Sequence, residues 1–184
     1  MKNLKIMALA LTAIFTFNSC SNDDSPVIEE ELITTLTATF VGGGQTINLT
    51  SRDADGDGPN APIITVSGNF AASTTYTGSV QFLNELENPA ENITEEIEEK
   101  DLEHQVFYQI SNSLGNFTYT DFDTDGNPLG LLFTFTTGAN SGTGSITITL
   151  RHLLNKNASG VSEGNITNAG GSTDVEVTFP IVIQ

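Results

Sequence analysis

Two copies of one short acidic pattern hold most of this chain's aspartate. Asp53, Asp55 and Asp57 with Gly58 form the first copy, and Asp121, Asp123 and Asp125 with Gly126 form the second, so six of ten aspartates fall in two triplets. In a D-x-D-x-D-G loop, alternate carboxylates converge on one point and the glycine lets the backbone turn tightly around a hard cation. The expected ion is Ca2+. Its ligands would be the three aspartates of each loop and the carbonyl of the residue after each glycine, Pro59 and Asn127. In an EF-hand the twelfth position supplies a bidentate carboxylate, but here it falls on Ile64 and Leu132. Both open runs of alternating residues, which points to loops joining β-strands. The alternative is a pair of Asx turns in which the aspartates accept local N–H groups.

A second group of candidates surrounds the only two histidines, His104 and His152. If the fold brings them together, they and Glu99 or Glu103 make a borderline-soft donor set suited to Zn2+ or Cu2+. The alternative is a pair of hydrogen-bonded structural histidines. The stretch ahead of His104 is strongly acidic, and on a helix Glu95, Glu99 and Glu103 lie four apart and share a face. Like charges at that spacing destabilise a helix by a few tenths of a kcal/mol each, roughly. A cation, a basic partner or packing through Ile93, Ile97 and Leu102 would offset this; a solvated charged face is the plainer reading.

Catalytic patterns are scarce. The chain has no H-E-x-x-H helix, and it has no tryptophan to stack against a sugar. Carboxylate pairs are numerous, so a hydrolase using two of them is the weakest reading. The expectation is a protein that is not an enzyme.

The elements that must position these residues are strands. Period-two alternation runs through 32–40, 46–51, 63–66, 75–83, 104–110, 117–120, 131–137, 145–151 and 174–183, rich in Thr, Val, Ile and Phe, with Gly, Asn, Ser and Pro between. Nine short strands at this spacing predict an all-β fold, an antiparallel β-sandwich of Ig-like or jelly-roll-like type. One exception is 89–103, where Ile93 and Ile97 four apart predict a short acidic helix of about ten residues, N-capped by Asn92 or Thr94. Residues 155–173 read as a long polar loop.

The first 19 residues read as a signal peptide. Lys2 and Lys5 precede an apolar stretch at 6–17 that is too short for an ordinary membrane span. Phe17-Asn18-Ser19-Cys20 resembles a relaxed lipobox, which implies cleavage before Cys20 and lipidation of its thiol; an ordinary cleaved signal is the alternative. Ser21-Asn22-Asp23-Asp24 resembles the acidic export tag of Bacteroidetes-type surface lipoproteins, implying an outer-membrane anchor facing outward. A polar tether over 20–31 then leads into a single domain at 32–184. Loss of the signal leaves four basic residues against 23 acids, a surface that repels phosphate backbones and excludes nucleic acid as a partner. The segments S-R-D-A-D-G-D-G-P-N-A-P and A-E-N-I-T-E-E-I-E-E-K-D-L-E-H-Q-V-F-Y also resemble a family of small flavobacterial surface lipoproteins, some of them labelled type 1 periplasmic binding fold proteins. That resemblance implies solute binding on a parallel α/β frame, whereas the periodicity implies an antiparallel sandwich. The combined expectation is a surface lipoprotein that binds divalent cations and captures a small ligand or metal for an outer-membrane transporter. The competing expectation is a calcium-stabilised structural or adhesive module.

Overall fold

The computed structural model describes residues 31–56 and 58–184; the expected signal peptide, the lipidation site Cys20, the acidic tag at 21–24, the tether up to residue 30 and Asp57 lie outside the described residues. Nine strands form two antiparallel sheets. Strands β1 (Thr35–Gly42), β2 (Gln45–Arg52), β3 (Ile63–Val66), β4 (Thr75–Leu83), β6 (Gly115–Tyr119) and β7 (Leu132–Thr137) make a six-stranded sheet in the order β3-β2-β1-β4-β7-β6. Strands β5 (His104–Ile110), β8 (Gly142–His152) and β9 (Ser172–Ile183) make a three-stranded sheet in the order β5-β8-β9. The period-two reading of the sequence therefore holds, and the parallel α/β frame does not.

Alternation explains why the two sheets face each other. In β1, Leu36, Ala38 and Phe40 are buried; in β8, Ile146, Ile148 and Leu150 are buried. Burying one face of each sheet removes these side chains from water, the dominant favourable contribution to folding. The centre is aromatic. Phe40 meets Phe70 edge-on at 5.1 Å and Phe133 at 5.2 Å, while Phe117 stacks on Phe135 at 4.6 Å. Tyr108 reaches in from β5 to within 4.5 Å of Phe133 and donates its hydroxyl proton to the Gly130 carbonyl at 2.6 Å.

The one α-helix among the described residues, α1 (Ile93–Glu99), is seven residues long. Ile93 and Ile97 are buried, so it is held by its apolar pair as the four-residue spacing predicts. Asn92 occupies the N-cap position but makes no capping hydrogen bond, and Thr94 instead bonds the backbone of Phe82. The helix stops before Glu103, so Glu95, Glu99 and Glu103 do not share one helical face as expected.

The long polar loop is packed. Residues 153–171 cover the outer face of β5, where Phe107, Val161 and Ala169 form a second, fully buried cluster. Gln105 donates to the Val161 carbonyl at 3.1 Å and fixes the cover in place. Strand β5 is thereby enclosed on both faces, which is why His104, Gln105, Val106, Phe107 and Tyr108 are all buried in sequence.

Candidate metal centre

Strand register brings the two histidines together. His104 and His152 are direct partners across β5 and β8, and their rings stack at 4.6 Å and 9°. His104 is fully buried and His152 nearly so. Neither position could be paired from the sequence without knowing that β5 and β8 are neighbours.

A bulge supplies the third group. Along β8–β9, Leu150 pairs with Val175 but Arg151 pairs with Thr173, so Asp174 is the extra residue. Strict alternation would place Asp174 on the face opposite Val175. The bulge re-aims it instead, and its side chain is fully buried, 3.9 Å from His104 Nε2 and 4.0 Å from His152 Nδ1. The turn ahead of the bulge is tightly held. Arg151 donates to the carbonyls of Gly170 and Gly171 and to Thr173 Oγ1. Gly171 has φ +68°, and a Cβ there would run into the His152 carbonyl oxygen.

Hydrogen bonding orients the rings. His104 Nδ1 lies 3.1 Å from the Lys100 carbonyl, which can only accept, so Nδ1 carries the proton and Nε2 presents a lone pair. His152 Nε2 faces the Glu103 carboxylate at 3.6 Å, which turns Nδ1 toward Asp174. His104 Nε2 and His152 Nδ1 are both buried without a hydrogen-bond partner. Burial holds the His104 ring below the usual imidazole range, which favours the neutral, metal-binding form.

The three ligand atoms, one each from His104, His152 and Asp174, lie within 4.8 Å of one another. Around an ion with bonds of about 2.0–2.1 Å, tetrahedral ligands sit about 3.4 Å apart. The separations of 3.9 Å to Asp174 Oδ2 and 4.0 Å to Asp174 Oδ1 exceed this by about half an ångström, and the set with one atom from each residue spans up to 4.8 Å, so an ion would have to draw the three groups inward. Two imidazole nitrogens and a carboxylate suit zinc or copper(II) better than calcium. At the rim, Glu31 approaches His104 Nε2 to 4.0 Å. Burial, then the nearby carboxylates of Glu96 and Asp174, push Glu31 up to about 7 despite the opposing charge of Lys100.

The structure corrects the predicted membership of this group. Of the expected residues it gathers His104 and His152, with Glu103 beside the outer nitrogen of His152. Glu95 and Glu99 are exposed on α1, where Glu95 accepts from the Asn92 amide at 2.8 Å. Asp174 was missed because regular alternation turns it outward. Glu31 was missed because it reads as part of an acidic tether.

The aspartate loops are also built differently from the expectation. In the second loop, Asp121 accepts the backbone N–H groups of Gly130 and Leu131 at 2.9 and 2.8 Å. Asp123 Oδ1 accepts those of Asp125 and Asn127, and the Asn127 carbonyl accepts the N–H of Asp123. Asp123 Oδ2 faces the Lys156 ammonium at 2.9 Å, which also donates to the carbonyls of Asp101 at 2.6 Å and Pro128 at 3.3 Å. Of the second loop's carboxylates, Asp123 is thus paired with a buried lysine, while Asp125 is exposed. In the first loop, Asp53 accepts from the Asp55 N–H at 3.2 Å, Asp55 accepts from the Asn60 amide at 2.6 Å, and Pro59 is exposed. The contacts of Asp53 and Asp123 with the N–H two residues on have the form of Asx turns.

Comparison of the chain with protein-family models, with curated proteins and with solved structures finds no match.

Proposed function

We propose that this protein is a non-catalytic binding module that holds one zinc or copper(II) ion between His104, His152 and Asp174. In this reading a lipid on Cys20 carries the domain at the outer membrane, where it captures the ion for a transporter. One observation carries the metal assignment: two buried imidazole nitrogens, neither with a hydrogen-bond partner, face a fully buried carboxylate across about 4 Å. Buried acceptors without donors are costly, and a divalent cation would satisfy the histidine nitrogens at once. Enclosure supports holding over turnover, because catalytic zinc keeps a position open to substrate, and here His104 and the Asp174 side chain are shut away from solvent.

Elemental analysis of the purified chain, stripped with a chelator and then dialysed against Zn2+, Cu2+ or Ca2+, tests this reading. The expected result is one zinc or copper per chain and no comparable retention of calcium, with His104→Ala and His152→Ala each losing the ion. If the wild-type chain keeps no transition metal, or if both alanine variants keep it, the assignment is wrong.

A further inference from the structure

Three protein ligands leave a tetrahedral ion one position short, and one carboxylate stands beside the gap. Glu31 lies immediately ahead of the segment that enters β1, and its side chain is only 10 % exposed. Both of its carboxylate oxygens are buried with no N–H donor, and Oε1 is 4.0 Å from the unpartnered His104 Nε2. Its one cationic neighbour is the Lys100 ammonium, also 4.0 Å away, which is already bound to Glu96 at 2.5 Å. Its side-chain hydrogen bond is to another carboxyl, Glu96, and that bond holds only while one of the two carries a proton. Glu31 is well placed to move inward toward an ion held by the histidines.

We infer that Glu31 is the fourth ligand of this site, and that loading with zinc or copper(II) draws the segment ahead of β1 onto the end of the three-stranded sheet. The inference rests on the metal site proposed above. It adds a residue from a different part of the chain: His104, His152 and Asp174 belong to β5, β8 and β9, whereas Glu31 precedes the first strand of the other sheet. The ion would then tie the two sheets together at this end. Metal occupancy would also fix the residue through which the domain joins whatever precedes it.

The test measures Zn2+ affinity of the full chain by competition with a chromophoric chelator, for wild type, Glu31→Gln and Glu31→Ala. Zinc-edge absorption spectroscopy of each loaded form counts the nitrogen and oxygen neighbours. The inference expects both variants to lose at least the ~10–100-fold that loss of an outer-shell partner costs, with two imidazoles retained and one oxygen ligand missing or replaced by water. Metal-free variants should melt with the wild type, so that the loss cannot be assigned to misfolding. If wild type and variants bind zinc equally well with the same shell, Glu31 is not a ligand, although the three-residue site survives. If the wild type itself binds no zinc or copper, the site reading fails first and the inference fails with it.

Discussion

Replacing Lys156 with methionine tests whether the second aspartate loop carries its own cation. The Lys156 side chain is 4 % exposed and the Asp123 side chain is fully buried. All three ammonium protons are spent, on Asp123 Oδ2 and on the carbonyls of Asp101 and Pro128. Methionine keeps the length and apolar stem but removes the charge, leaving a buried carboxylate with only the N–H groups of Asp125 and Asn127 on its other oxygen. Breaking a buried pair by removing one partner costs about 3–5 kcal/mol. For a domain of this size each kcal/mol lowers Tm by about 2–4 °C, so Lys156→Met should melt about 6–20 °C below wild type. Thermal melts followed by circular dichroism, in chelator to remove any contribution from ions, give the measurement. Adding Asp123→Asn should recover a substantial part of the loss, because the amide keeps an acceptor for the loop N–H groups and removes the unpaired charge. A single-variant loss below about 1 kcal/mol, the range of an exposed pair, would refute the reasoning. So would a double variant that is simply the sum of its singles.

Four further outcomes follow from the same structure. Phe135, fully buried and packed on Phe117, Phe70 and Phe40, should cost about 3–5 kcal/mol when cut to alanine, read by urea unfolding. With free zinc at about 100 times its dissociation constant, the loaded chain should gain about 2.7 kcal/mol and melt about 5–10 °C above the stripped chain; an unchanged melt would argue against ion binding. Glu99→Gln, on the exposed face of α1, should leave zinc affinity unaltered, whereas Gly171→Ala, at positive φ against the His152 carbonyl, should weaken both fold and zinc binding, since it disturbs the turn that delivers Asp174.

The sheet architecture was legible because alternation is a local property. Runs such as 36–40 in β1 and 146–150 in β8 show their buried face without reference to any neighbour. The metal centre was legible only in part. His104 and His152 stood out by rarity and by chemistry, but their meeting depends on the register of β5 against β8, which composition does not encode. Asp174 was hidden by the same rule that revealed the strands: period two sends it outward, and only the bulge beside Leu150 and Arg151 reverses it. The surroundings of the aspartate loops were hidden for a related reason. A D-x-D-x-D-G run fixes where carboxylates cluster, but not what neutralises them, and Lys156 lies 33 residues beyond Asp123 in an unremarkable polar stretch.

Strand β5 lies at the margin of its sheet, yet its outward backbone is already occupied. The Val106 N–H donates to the Leu129 carbonyl at 2.8 Å, and the Val106 carbonyl accepts from the Tyr119 hydroxyl at 2.9 Å. The 153–171 cover shields the strand from the side as well. A second molecule approaching along this margin would find the ladder already engaged at Val106. Strand-to-strand stacking of copies from this side is disfavoured to that extent.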